Sequence, residues 1–299
     1  MPSSLPSSLP SSLPSSLLFP RPKTRAARRV GARTLAALLV ATLLAACGTA
    51  SRAPVPADTP FARRVAVLLP VDVLLLGEQH DAAEHHVIEY ETVDALARRG
   101  RLAALVVEMA DAGRSTAALP ATSTEEEVRS ALAWDEQSWP WRDYGAAVMA
   151  AVGAGVPVLG GNLPRAGMRQ AMADASLDAR LNDGARSAQQ AAVREGHCGL
   201  LPEAQIVPMT RIQIARDRTM AQAVEQARAP GKTVLLIAGA GHVQRALGVP
   251  QHLPAGLTVK SVLLKAGESG PDAAGFDAVW QTPELPARDY CATLRPKTS

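Results

Sequence analysis

Several short segments of this chain are for the most part continuously apolar rather than alternating, and that continuity limits the fold more than any other feature. The runs are VDVLLLG (71–77), LAALVVEM (102–109), VPVLGGN (156–162), TVLLIAGAGH (233–242) and LTVKSVLL (257–264). A strand with one wet face alternates apolar and polar residues. A strand covered on both faces does not, and a mostly parallel sheet between helices is the usual way to cover it. The spacers carry helix signals. Asp81 and Glu84 make a capping-box-like start, Val87, Tyr90, Val93 and Ala97 follow at helical spacing, and Gly100 stops them. Ser123 with Glu126, or Thr124 with Glu127, opens a second helix through Leu132. Others are predicted over 142–152 and 209–228, the last ending at Pro230-Gly231. The expected fold is α/β, with a central mostly parallel β-sheet covered by helices on both faces, in a single domain. Hydrophobic residues make up 47% of the 299 residues and aromatics only 3%, so the core must come from Ala, Val and Leu.

That domain is expected over 63–295. Residues 1–22 are a PSSL repeat ending in LFPRP, low-complexity sequence that exceeds an ordinary n-region and reads as an extension or a misplaced start. A basic stretch and the apolar run TLAALLVATLLAAC follow. The run is too short to span a bilayer and suits a signal-peptide h-region. Leu44-Ala45-Ala46-Cys47 resembles a bacterial lipobox, which makes Cys47 the lipidated N-terminus and 1–46 an extension plus lipoprotein signal peptide. The alternative is an ordinary signal peptide with an incidental cysteine. Gly48 after the cysteine fits outer-membrane sorting, and 47–62, rich in Pro, Ala and Ser, reads as a flexible tether. The formal charge of +3 includes six basic residues before Cys47, where no acid occurs; the remainder holds 25 basic and 28 acidic residues, or −3. Nothing there suggests a nucleic-acid partner. Cys198 and Cys291 are left, and in an oxidising space they read as a disulfide, the alternative being two separate thiols.

The chemistry gathers where the runs end. The first leads into Gly77-Glu78-Gln79-His80, the second carries Glu108, the third ends in Gly161-Asn162 and the fourth in Gly239-Ala240-Gly241-His242. Ligands of open α/β sheets bind outside the carboxyl ends of the strands, so residues far apart in sequence can meet in one crevice. Two Gly-x-x-His segments stand out, Gly77 to His80 and Gly239 to His242. Glycine permits a sharp exit and close approach of a ligand. Imidazole ligates metals, moves protons or pairs with anions near neutral pH. The bland alternative is two histidines bonded to loop backbone. His85 and His86 fall in the first turn of the following helix, facing either crevice or solvent. His197, beside Cys198, reads as loop structure. The aromatic cluster SWPWRDY (138–144), with Trp134 before it, either lines a flat apolar pocket or seals a helix against the sheet.

The ordered segments VLLLGEQHDAAEHH, LVVEMAD, WPWRDYGAAVMAAVGAGVPVLGGNLPR, HCGLLPE, RIQIARDRTMAQAV and LLIAGAGHVQRALGVPQHL resemble the ChaN family of bacterial haem-binding lipoproteins, within the haem-uptake/Tiki superfamily, over about 68–295. The resemblance implies an α/β fold and an outer-membrane lipoprotein that binds haem at a homodimer interface in iron uptake. It also implies a tyrosine on the iron, cationic side chains at the propionates, and an outer-membrane haem receptor as partner. On this chain the iron ligand falls to Tyr144, in a matching motif, or Tyr90. His80, His85 and His242 are further cofactor-binding candidates, and Arg165 and Arg216 replace scarce lysine at the propionates. The alternative within the superfamily is a metal-dependent hydrolase, Tiki-like peptidase or esterase-like, in which Glu78, His80, Glu108 and His242 hold a divalent metal or activate water. No His-Glu-x-x-His helix is present, which argues against zincin chemistry. A scaffold with a vestigial crevice is the third reading.

Overall fold

The computed structural model describes residues 61–268, 272–292 and 294–295. Cys47, the segment 1–46 and nearly all of the tether lie outside them. The elements are α1 (Phe61–Ala66), β1 (Val73–Glu78), α2 (Ala83–Arg98), β2 (Leu102–Asp111), α3 (Glu125–Leu132), α4 (Trp141–Gly153), β3 (Val158–Asn162), α5 (Arg165–Ala173), α6 (Asp183–Gly196), α7 (Glu203–Gln226), β4 (Thr233–Gly239), the single turn α8 (Ala240–Val243), β5 (Val259–Ala266) and β6 (Ala278–Thr282). The strands form one sheet in the order β3-β2-β4-β1-β5-β6. Every pairing is parallel.

The continuous apolar runs now have their cause. Leu74, Leu76, Leu105, Val107, Leu235 and Ile237 point to one face, under Ile88, Val93 and Leu96 of α2 and Val148 of α4. Val73, Leu75, Val106, Val234 and Leu236 point to the other, under Met220, Ala221 and Val224 of α7. Successive side chains of a strand face opposite ways, so two covered faces leave no place for polar alternation. α5 and α6 pack behind α7 around Leu177, Leu181, Ile212 and Ile214. No helix among the described residues is long and apolar enough to cross a membrane.

Several boundaries differ from the sequence expectation. The fourth strand ends at Gly239, and His242 sits on the α8 turn. α7 begins at Glu203, earlier than expected, because its first turns tolerate Pro208, whose missing N–H removes one ladder bond. Asp81 does not cap α2, whose N-cap is Ala82 with no side-chain hydrogen bond. Its carboxylate accepts bonds instead from Gln79 Nε2 (3.2 Å), the Tyr290 hydroxyl (2.9 Å) and Arg288 (3.3 Å). Thr124 and Glu127 do form the capping box of α3. Cys198 and Cys291 are paired in a disulfide, which ties the C-terminal segment to the α6–α7 connection.

Candidate functional site

Because β4 lies between β2 and β1, three adjacent strands deliver Glu108, Gly239 and Glu78 to one end of the sheet. The two Gly-x-x-His segments interlock there. A Cβ on Gly77 would lie 2.4 Å from Val243 Cγ2 and 2.9 Å from the Ala240 Cα, so Gly77 makes room for α8. A Cβ on Gly239 would lie 2.9 Å from His80 Nε2, so Gly239 makes room for the other segment's histidine. Part of the close approach that the glycines allow is thus between the two motifs themselves.

The histidines flank Glu108. His80 Nε2 lies 3.9 Å from Glu108 Oε2 and His242 Nε2 lies 3.4 Å from Oε1. Each turns its Nδ1 to a second carboxylate, His80 to Glu78 Oε1 at 2.8 Å and His242 to Asp217 Oδ1 at 2.6 Å. The Gly239 N–H donates to Glu108 Oε2 at 2.8 Å. Burial works against the ionised Glu108, but His242, His80 and the Gly239 N–H outweigh it and hold the carboxyl far below its usual range. Burial likewise opposes the His242 imidazolium, yet Glu108 and Asp217 push its pKa up to about 10. Burial raises Asp217 to about 6 despite the imidazolium beside it. His80 is raised too, against burial, by Glu78 and Glu108.

Glu78 has a different neighbourhood. Its Oε1 accepts from the Tyr144 hydroxyl at 3.0 Å as well as facing His80. Its Oε2 lies 3.2 Å from His86 Nε2 without the alignment of a hydrogen bond. Burial opposes ionisation of Glu78, but His80 and His86 lower it to about 2. Glu89, one turn along α2 from His86, is wholly buried, and neither of its oxygens has a partner. Burial, with the Glu78 carboxylate next, raises it well above the usual range.

The aromatic cluster divides between its two expected roles. Tyr144 and Trp141 are buried in the core, and Trp141 Nε1 donates to Glu125. Trp139, its ring 4.9 Å from that of His80, lines a crevice of about 400 Å³. Glu108, Asn162, Leu163, Met168, Arg165 and Arg216 share that wall. Arg216 Nε and Asn162 Oδ1 are buried there without partners.

The remaining candidates fall elsewhere. His85 is fully buried, accepts from the Gln79 N–H at 3.0 Å, and meets Thr282 Oγ1 at 3.1 Å. Burial lowers it to about 4, so it is a neutral strut between β6 and the loop after β1, outside the crevice wall. Tyr90 is 39% exposed on α2 beside exposed Val87, also outside that wall. Tyr144 is 2% exposed, and burial together with Glu78 and Glu89 drives its phenol far above the usual range. It is a donor to Glu78 in this arrangement, not a phenolate facing the crevice. His197 bonds to the Val193 carbonyl, as loop structure.

Asp217 and Glu89 escaped the sequence-based site, and the sequence leaves His86 open between crevice and solvent. The signal was present: Asp217 falls in line with Thr210, Ile214, Met220 and Val224 on the buried stripe of α7, and Glu89 with Val93 and Leu96 on that of α2. A carboxylate at a core position of a helix needs a reason, and here it is the strand ends opposite. A second cavity, about 480 Å³, lies at the other end of the sheet against Leu69, Asp72, Arg99, Arg101, Lys232 and Thr258. It is roomier, but no histidine or glutamate lines it.

The family described as haem-binding uptake, Tiki superfamily, ChaN matches residues 65–253. Among solved structures, one titled as cofacial heme binding to ChaN of Campylobacter jejuni is 25% identical, with a TM-score of 0.62 over 73% of this chain and 90% of that one. The type III effector HopBA1 is 15% identical with a TM-score of 0.47, covering 80% of this chain and 100% of that one. A toxin effector domain, RRSP of Vibrio vulnificus, is 14% identical with a TM-score of 0.41, covering 79% and 40%. No curated protein sequence matches.

Proposed function

This chain belongs to the ChaN family of haem-binding uptake proteins in the Tiki superfamily, and from that premise we propose that it binds haem in the crevice at the carboxyl ends of β2 and β3. The observation that carries the placement is the wall itself. Trp139, Leu163 and Met168 offer an apolar surface for a macrocycle, while Arg165 and Arg216 stand ready for carboxylates. The unpartnered Arg216 Nε is a buried donor of the kind a propionate satisfies. Haem supplies the iron chemistry; this chain supplies the apolar face, the charge pairing and the exclusion of water. Tyr90 is the tyrosine we assign to iron, because it is exposed while Tyr144 is sealed behind Glu78. Because Tyr90 lies outside the crevice wall, a second copy of the chain must bring its Tyr90 to the haem held in the crevice. Phenolate is a known axial ligand of haem iron. In this reading the protein is held at the outer membrane by lipid on Cys47 and serves haem uptake.

Hemin titration of the purified protein tests the reading. A saturable shift of the Soret band is expected. Arg165→Glu with Arg216→Glu should weaken binding at least roughly tenfold through lost charge pairing. Tyr90→Phe should move the Soret maximum, while Tyr144→Phe should leave it in place. Absence of saturation, or unchanged affinity in the double variant, would sink the placement. Cys47→Ser should move the protein from the membrane to the soluble fraction.

One observation favours a second reading, a metal-dependent hydrolase. Both Nε2 atoms face Glu108 while both Nδ1 atoms rest on carboxylates. Histidines that ligate metals usually give their other nitrogen to such a partner. His80, His242 and Glu108 are then the ligands, and Glu78 and Asp217 orient the rings. Ester or peptide turnover that requires added Zn²⁺, Mn²⁺ or Co²⁺ and vanishes in His242→Gln is the result this reading expects.

A further inference from the structure

Behind the crevice, Glu78, His86 and Glu89 each present one ligand atom, and the three atoms lie within 4.8 Å of one another. We propose that these three residues form a buried site for a divalent transition-metal ion, distinct from the histidine pair around Glu108.

Glu78 Oε2, His86 Nε2 and both Glu89 oxygens are buried and have no hydrogen-bond partner. Such groups are rare in folded proteins, because each loses its hydration without replacement. Buried charge is normally paired or coordinates a metal. Here three such atoms, one from each residue, gather within 4.8 Å, from β1 and from consecutive turns of α2. His86 and Glu89 are three apart, which puts them on one helix face.

The donor set then selects the ligand class. One imidazole nitrogen with two carboxylates suits Zn²⁺, Mn²⁺ or Fe²⁺ and disfavours ions that want thiolate. Zinc–ligand distances of about 2.0–2.2 Å require donors somewhat nearer than their present spacing, so an ion would draw them together on binding. Two carboxylates, deprotonated as the ion binds, carry the charge that a dication cancels. Tyr144 closes the site, its ring 4.8 Å from that of His86 and its hydroxyl on Glu78. The His86 side chain is 9% exposed, which leaves a narrow way in.

The rival occupant is a proton shared between Glu78 and Glu89. The experiment loads the purified chain with Zn²⁺ or Mn²⁺, removes loose ions, and measures retained metal by elemental analysis. The proteins are wild type, Glu89→Gln, His86→Gln and Glu108→Gln, with near-UV circular dichroism to confirm folding. The proposal expects retained metal in wild type and in Glu108→Gln, and affinity lowered roughly hundredfold in Glu89→Gln and His86→Gln. It is overturned if wild type retains no metal, which assigns the space to the proton. It is also overturned if Glu108→Gln loses the metal while Glu89→Gln keeps it, which assigns the ion to the histidine pair. Hemin uptake is read separately on the same samples, so failure of one reading leaves the other intact.

Discussion

Glu78 and Glu108 hold matching places, at the ends of β1 and β2 on either side of β4. Each is buried, each faces two imidazoles, and each is held below its usual pKa. They differ in completeness. Glu108 has a backbone N–H on one oxygen and His242 on the other, and His242 is backed by Asp217. Glu78 has one satisfied oxygen and one orphan, with a second carboxylate, Glu89, behind it. The first cluster is a finished ion network, and such a network stiffens the mouth of the crevice. The second is unfinished, and a folded protein seldom leaves bonding capacity unused at such a cost. The same residue type at equivalent strand ends therefore has two different uses, decided by what the helices bring to it.

Breaking the finished network should cost most. Glu108→Ala strips two histidines of their shared partner and should lower the free energy of unfolding by about 3–5 kcal/mol, measured by denaturant titration. A loss under about 1 kcal/mol would mean that the cluster is not closed in solution. Next comes the unfinished side. Glu89→Leu should raise stability by about 1–3 kcal/mol when chelator is present, because it removes buried orphan oxygens. Destabilisation there would show that Glu89 already has a partner. Tyr144→Phe removes a hydrogen bond to a charged carboxylate and should cost about 1.5–3 kcal/mol.

The remaining effects are gradients with pH. The folded pKa of His242 is raised to about 10 from 6.5. Its contribution is whole below pH 6.5 and fades as pH climbs through about 10. Glu78 is lowered to about 2 from 4.5, so its contribution is present above pH 4.5 and lost as pH falls through about 2. Thermal midpoints across pH 7–10 should decline in wild type, and the decline should flatten in His242→Gln. An equal slope in both proteins would deny His242 its raised pKa.

Much of the fold was legible because both faces of the sheet are covered. Five strands announce themselves as mostly continuous apolar runs. β6, AVWQT, does not, since it is short and only two of its residues are buried. α5 and α6 bury few residues, and those are small, so no run of large apolar side chains marks them. At the site, Glu78, His80, Glu108 and His242 were visible because strand ends are where an α/β sheet places its chemistry. Asp217 and Glu89 were hidden for a different reason. They come from helices, where a single polar residue in an apolar stripe reads as noise until the strand end opposite is known. Tyr144 had the reverse fate: its motif drew attention, while its burial on the core face of α4 and its bond to Glu78 appear only in three dimensions.

The location of the ligand is best tested by hydrogen–deuterium exchange with and without hemin. Binding at the strand ends predicts slower exchange in the segments around 109–115, 133–139 and 162–168, with 69–72 and 230–233 unchanged. Protection confined to 69–72 and 230–233, at the opposite cavity, would contradict the account.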